Sequence, residues 1–600
     1  MKQFFKYMLA TMCGMIALSI IGVIIFAVIL AGILADGSSS ITAKENSVFA
    51  LKLQGVVSER AEDAGPLASL MGMAGGEELG LDDILSAIKK AKDDKNIKGI
   101  YIESGLVEFD SPASAQQIRD ALVDFRKSGK WIVAYADQYM QGAYYVCTAA
   151  NELYLNKTGM IDFKGLGGKS NYMKGLYDKL GIKYQAARVG KYKSYVESVT
   201  RTDMSDDDRE QRQAYVNGIW EHWTKAIAES RQTTTEALNQ LANDSIMLFA
   251  NEEDYVAAKL VDKVMYPDEV KKLMRTKLKV GEKDELNQLS LADMETLKVN
   301  GKKAKQKGDE IAVYYAYGEI IDEQLSGLTG GHAIVGKNTV DDLNKLADNK
   351  DVKAVVIRVN SGGGSAFASE QIWHAIKQLK AKKPVVISMG GAAASGGYMI
   401  SCAANYIFAE PTTITGSIGI FGLVPNVNGL VTGKLGVTWD GVKTNKYTDY
   451  DHSLTFAEEN DSVMQKLQHY TDRGYENFLS IVADGRGMTK EEVNEIAQGR
   501  VWLAKDAVEI KLVDQLGSLD DAVKKAAELA KVKEYYTSAY PEKVDWLDNL
   551  LNDEEKPNNY LTNNQLKVLL GELYEPVMEL RLNQMRSRLQ ARMPFSISVK

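Results

Sequence analysis

The chain has 600 residues, 45% of them apolar and 25% charged, and a formal net charge of −8. That length exceeds what one hydrophobic core organises, so two or more domains are expected. The mild negative balance, with no Lys/Arg stripe interleaved with aromatics, argues against a nucleic-acid binder.

In chain order, Lys2 and Lys6 precede an uncharged stretch from Tyr7 to Ala35 rich in Ile, Val, Leu, Met and Ala. About 20 such residues span a bilayer, so residues 7–35 predict a transmembrane anchor. A cleavable signal peptide would carry a shorter apolar run and an Ala-x-Ala site, and none precedes Asp36. The lysines keep residues 1–6 cytoplasmic and send the rest across the membrane. Residues 36–47, beginning Asp36-Gly37-Ser38-Ser39-Ser40, form a tether.

The first half, residues 48–300, alternates strand and helix patterns. Strands are expected at Phe49–Leu53, Ile97–Ile102 and Trp131–Tyr135, and helices at Leu81–Ala91 and Ala113–Ser128. Ser205 followed by Asp206-Asp207-Asp208 reads as the capped, acidic first turn of a helix over Asp206–Ala228. A calcium loop would need ligands at alternating positions, which Arg209 interrupts. The polar stretch Asp268–Gly308, with the basic run Lys302-Lys303-Ala304-Lys305-Gln306-Lys307, reads as the boundary and linker.

The second half, residues 308–545, repeats the order. Strands are expected at Glu310–Tyr315, Ala354–Arg358 and Val385–Met389, and helices at Val340–Ala347 and Ala368–Ala381. Such alternation predicts an α/β fold of parallel sheets covered by helices. Residues 546–600 read as a helical tail, amphipathic from Asn563 to Arg592. Cys147 and Cys402 fall at nearly equivalent places on apolar segments, as small buried hydrophobes do, and no disulfide framework is present. Neither CxxC nor HExxH occurs and the five histidines are scattered, so neither a metal nor a cofactor is implied.

Aligning the halves exposes a broken symmetry. Ile97-Lys98-Gly99-Ile100-Tyr101-Ile102 matches Val352-Lys353-Ala354-Val355-Val356-Ile357, and Gly142-Ala143-Tyr144 matches Gly396-Gly397-Tyr398. In this register Ser395 stands against Gln141, and Lys193 against Thr448. One copy holds a candidate nucleophile and the other a candidate base.

A strand running through Val385–Met389 enters Gly390-Gly391-Ala392-Ala393-Ala394-Ser395-Gly396-Gly397-Tyr398, then a helix near Met399–Ala404. This places Ser395 in a tight turn where the next amide N–H can face an oxyanion. The pattern partly resembles the G-x-S-x-G elbow of hydrolases, with Ala393 in place of the first glycine. The loop Arg358-Val359-Asn360-Ser361-Gly362-Gly363-Gly364-Ser365 follows a buried strand at its C-terminal edge, where parallel sheets bind ligands. The first half offers only Gly105 there. A lysine serves as base only when neutral, so Lys193 requires burial or a nearby positive charge to lower its pKa.

Four segments carry a family resemblance: Ala394-Ser395-Gly396-Gly397-Tyr398, Thr415-Gly416-Ser417-Ile418-Gly419-Ile420-Phe421, Arg358-Val359-Asn360-Ser361 and Tyr192-Lys193-Ser194. With them the chain closely resembles bacterial signal peptide peptidase A of the long, duplicated, membrane-anchored type, over nearly its whole length. The resemblance implies tandem crotonase/Clp-protease-like ββα superhelix repeats, with Ser395 as nucleophile, Lys193 as general base and Ser417 orienting the lysine. It implies an oxyanion hole from the N–H groups of Gly363 and Gly396. The family usually reads Ser-Pro-Gly-Gly where this chain has Ser361-Gly362-Gly363-Gly364, so the loop has lost its proline. It further implies a homotetramer on the periplasmic face of the bacterial inner membrane, acting on remnant signal peptides. A crotonase-like acyl-CoA enzyme, which needs no serine nucleophile, and an inactive membrane scaffold are the rival readings.

Overall fold

Val352–Ser361 is a strand in which every residue except Lys353 and Asn360 is buried. A run apolar on both faces belongs inside a parallel sheet covered by helices on each side. The computed structural model describes residues 6–7, 14–15, 40–61, 78–301, 307–323, 332–458, 460–543 and 589–593. Among these, no helix is long and apolar enough to cross a membrane. The anchor expected over 7–35 lies outside the described residues, apart from Tyr7, Gly14 and Met15.

The first half contributes strands β1 (Ser47–Ser58), β2 (Glu78–Gly80), β3 (Ile97–Phe109), β4 (Trp131–Tyr139) and β5 (Glu152–Ile161). It continues with β6 (Lys183–Val189), β7 (Lys263–Val264) and β8 (Gln288–Leu289). All but β6 form one parallel sheet in the order β2-β1-β3-β4-β5-β7, with β8 paired to β1.

The second half contributes β9 (Asp309–Tyr317), β10 (Glu319–Ile321), β11 (Ala333–Val335), β12 (Val352–Ser361), β13 (Gly363–Ser365) and β14 (Val385–Ala394). There follow β15 (Tyr406–Ala409), β16 (Ile414–Gly416), β17 (Ile420–Asn426), β18 (Val501–Leu503), β19 (Gln515–Leu516) and β20 (Tyr535–Tyr540). Its main sheet runs β18-β16-β14-β12-β9-β20, with β15 and β19 branching from β14. The neighbours β1-β3-β4-β5 thus recur as β9-β12-β14-β15.

A third sheet joins the halves. Its order is β11-β10-β13-β21-β17-β6, where β21 is Gln590–Arg592. Here β6 has left its own half to pair antiparallel with β17, Val189 opposite Ile420. The buried cluster of the first half takes in Ala394, Ile414, Val501 and Leu503 from the second, so the two cores touch. An ion pair seals the contact. Arg358, on β12, reaches Glu59 of the first half at 2.8 Å, and both side chains are buried.

Two expectations need correction. The polar stretch from Asp268 is folded into the first half rather than lying between halves: Pro267–Leu278 is a helix that buries Val270, Met274 and Leu278. Its polarity belongs to the helix's solvent face. Of the helical tail, most lies outside the described residues, but Gln590–Arg592 is a strand, because two open sheet edges, β13 and β17, flank it.

Candidate active site

Ser395 follows β14 and caps the helix Gly396–Ser401, with φ 56° and ψ −114°. A side chain at positive φ costs about 1–3 kcal/mol and persists only where its surroundings fix it. They do here. Ala394 pairs with Gly416 across to β16, and the Ser395 N–H donates to the Gly416 carbonyl at 2.8 Å. The hydroxyl therefore stands at a helix N-terminus, beside the Gly396 N–H.

Lys193 follows β6, and the pairing of β6 with β17 carries it across into the second half. Its Nζ is hydrogen-bonded with Ser395 Oγ at 2.7 Å, and with Ser417 Oγ and the Ser417 carbonyl, each at 3.0 Å. All three side chains are 0% exposed. The partners of the amine are neutral, and burial alone pushes its pKa well below the ordinary 10.5. Desolvation penalises the ammonium, which leaves the amine able to take a proton.

The lysine stem threads past backbone. Gly499 has φ 77°, and a Cβ there would lie 2.7 Å from the Lys193 nitrogen. Ser417 also has a positive φ, 49°, and its N–H donates to the Arg500 carbonyl at 2.6 Å. The lysine loop is braced from below by the helix Asp206–Arg231, capped by Ser205. Gln211 Nε2 donates to the Tyr192 carbonyl at 3.0 Å, while its Oε1 accepts from the Val501 N–H at 3.1 Å. Asp208 accepts from Ser194 Oγ at 2.6 Å and from Arg212 Nε at 2.8 Å.

The glycine loop departs from expectation at one atom. The Gly363 N–H, expected to face the oxyanion, donates instead to Ser361 Oγ at 3.1 Å. With the family's usual proline absent, the Ser361 hydroxyl, itself donating to the Gly318 carbonyl at 2.6 Å, fixes the loop. The next residue, Gly364, pairs with β21.

The equivalent place in the first half is closed. Gln141 is buried, and its Oε1 accepts from the N–H groups of Lys164 and Gly165, each at 2.9 Å. Thr448, aligned with Lys193, lies exposed, its hydroxyl bonded to the Asn445 carbonyl at 2.9 Å. Cys147 and Cys402 are free and buried.

Beside the glycine loop a cavity of about 620 Å³ is lined by Glu59, Asp110, Glu319, His332, Asn360 and Arg592, among others. Burial raises Asp110 to about 6, and it raises Glu410, 4.0 Å from Arg358, to about 8. Sequence reasoning missed Glu59, Asp208, Gln211 and Gly499. For Asp208 the helix-start signal was present and concealed the second role.

Peptidase family S49 matches residues 124–281 and 377–533, once in each half. The chain belongs to Peptidase family S49. It is a duplicated serine protease of that family, of the signal peptide peptidase A type. Protease 4 of Salmonella typhi is 38% identical over 79% of this chain and 75% of its own. Protease 4 of Haemophilus influenzae is 33% identical over 89% of each. The chloroplastic serine protease SPPA of Arabidopsis thaliana is 30% identical over 76% of this chain and 66% of its own. The Clp protease family matches residues 328–414, the segment that contains the glycine loop and Ser395, so the second half of this S49 protease carries a Clp-like element.

Proposed function

We propose that the protein is a membrane-anchored serine endopeptidase with a Ser395/Lys193 dyad that degrades remnant signal peptides. The observation that carries this reading is the 2.7 Å hydrogen bond between a fully buried, neutral-leaning Lys193 amine and Ser395 Oγ. Ser395 Oγ bonds to the scissile carbonyl carbon as its proton passes to Lys193 Nζ. The resulting ammonium protonates the departing amine, the C–N bond breaks, and an ester to Ser395 remains. Water then attacks that ester, gives a proton to Lys193, and the acid product leaves with the Ser395 hydroxyl restored.

Ser417 holds the amine through two oxygens, which keeps its lone pair directed at Ser395. The N–H groups of Gly396 and Gly363 face the developing oxyanion, that of Gly363 exchanging its bond to Ser361 Oγ for one to substrate. The anchor over residues 7–35 places this machinery at the periplasmic face of the bacterial inner membrane, where spent signal peptides remain, and the assembly is a homotetramer. The names of the relatives support the serine protease.

A serine-reactive phosphonate probe tests the dyad. It is expected to label Ser395 in the wild type and to fail in the Lys193→Met variant. Labelling of both to the same extent would overturn the dyad, and turnover of acyl-CoA thioesters without labelling would favour the crotonase-like alternative.

A further inference from the structure

Asp110 follows β3, and its N–H donates to the Val57 carbonyl at 3.0 Å, which fixes it at the end of the first half's sheet. The next residue, Ser111, caps the helix Pro112–Arg126 as Ser365 caps the counterpart Ala366–Lys382. The residue before the cap is thus Asp110 in one half and Gly364 in the other. Where the second half has its glycine loop, the first has a carboxylate, and that carboxylate serves the other half. Asp110 Oδ2 accepts from Asn360 Nδ2 at 2.8 Å.

Asn360 stands where two arms of the Ser395 site part. On one arm its neighbour Ser361 accepts from the Gly363 N–H at 3.1 Å. On the other, β14 carries extra residues: Val359 pairs with Met389 but Ser361 with Ala393, so the ladder is interrupted opposite Asn360. Such a bulge leaves strand groups without ladder partners. Asn360 Oδ1 supplies one, accepting from the Ala392 N–H at 3.1 Å, shortly before Ser395. A carboxylate at Nδ2 accepts only, so it decides which end of the amide faces Ala392. The first half is also seated on this strand. A Cβ on Gly391 would collide with the Ser111 side chain, and one on Gly390 would lie 2.6 Å from Glu59 Oε1. Asp110 further accepts from Ser114 Oγ. Of the charged groups around it, Glu59 opposes its ionisation and Arg358 favours it, while Glu319, His332 and Arg592 line the same cavity.

We propose that Asp110 is a positioning residue for the Ser395 site, supplied by the half that has neither nucleophile nor glycine loop. Its carboxylate sets the Asn360 amide, and that amide sets both the approach of β14 to Ser395 and the start of the glycine loop. The first half thereby contributes a second group besides Lys193, one that acts through Asn360 and not on substrate. This inference rests on the dyad reading for the reaction it serves.

The test is a mutant cycle in the full chain, read as kcat and KM on one fluorogenic peptide, with phosphonate labelling of Ser395 and melting curves in parallel. Asp110→Ala is expected to lower kcat about tenfold or more with KM nearly unchanged. Asn360→Asp sets two carboxylates face to face, which share one proton rather than ionise together. The shared proton rebuilds the bond, so the ratio of this variant's kcat to wild type should fall as pH rises and the proton leaves. Melting curves at the same pH values separate that trend from unfolding. Adding Asp110→Asn to Asn360→Asp restores a donor facing an acceptor with the roles exchanged, and should return kcat to within about threefold of wild type. Equal kcat in wild type, Asp110→Ala and Asn360→Asp, or a double variant no better than Asn360→Asp, would overturn the proposal. Should Asp110→Ala not fold, Asn360→Asp and the double variant, which conserve size, decide it. If the cycle behaves as expected while Ser395 stays unlabelled, the dyad reading fails and the positioning role stands. If Ser395 is labelled and Lys193→Met is inactive while the cycle shows no coupling, this inference fails alone.

Discussion

Gln141 and Ser395 stand at the same turn of the two halves, each buried, each followed by a short helix. The Gln141 amide is spent on holding the Lys164–Gly165 loop, whereas the Ser395 hydroxyl is hydrogen-bonded with Lys193. Copies of one fold have thus turned the same position into a brace and, on the dyad reading, a nucleophile.

Ser395→Ala is therefore expected to abolish peptide cleavage while leaving the melting curve unchanged, since alanine keeps the Cβ already tolerated at that φ. Gln141→Ala should do the reverse: near-normal turnover and a loss of about 1–3 kcal/mol in stability, because two amide N–H groups lose their acceptor. Denaturant melts and a single fluorogenic peptide assay separate the two effects. A residual rate in Ser395→Ala within about tenfold of wild type would remove it as nucleophile.

For the base, Lys193→Met keeps the apolar stem and removes proton acceptance, so the folded variant should be inactive, while Thr448→Ala should turn over normally. The wild-type rate should rise with pH through the lysine's titration, at a point well below 10.5, because the active form is the neutral amine. A pH–rate profile flat across that range, or equal activity in the two variants, contradicts the assignment.

Gln211 touches neither substrate nor Ser395, yet it ties the Tyr192 carbonyl to the Val501 N–H. Gln211→Ala should lower kcat by about tenfold to a hundredfold while leaving KM for small peptides nearly unchanged, since misplacement of Lys193 acts on the proton transfer. The apparent pKa of the rate profile should shift as well, which a purely structural loss would not cause. Gln211→Glu, retaining the acceptor for Val501, should recover part of the stability but not the bond to Tyr192.

Glu410 gives a pH-dependent stability of definite sign. Its folded pKa is raised to about 8 from 4.5, so the folded state favours the protonated form. The stability this contributes is complete below 4.5 and is lost as pH rises through about 8, at up to about 1.4 kcal/mol per pH unit. Glu410→Gln should flatten the loss across that window, as measured by denaturant midpoints at several pH values. A wild-type curve parallel to that of the variant would contradict the assignment.

The alternation of strands and helices was legible because parallel strands are apolar on both faces and leave dense Val/Ile runs, as in Val352–Ile357. Ser395 and Lys193 were legible because the halves could be laid against each other and differed there. The bracing of Lys193 was not. Asp208 and Gln211 sit on an acidic helix start that explains itself as a cap, and only the folded chain shows one carboxylate of the three turned inward. Glu59 and Arg358 are 299 residues apart, a pairing that no local pattern records. The bond from the Gly363 N–H to Ser361 Oγ was not legible either, because the direction of an N–H depends on backbone angles, which glycines leave unspecified.

The crossing of β6 from its own half into the sheet of the other has a hereditary consequence. The strand that delivers Lys193 is encoded upstream of the second half but completes the edge beside β17. A gene split at the linker would give one product with Lys193 and no Ser395, and another with Ser395 and an unpaired edge. On the dyad reading neither would work alone, and each could be rescued only by the other. The duplication has become a one-way step: two copies that began as equals are now bound into one unit of inheritance.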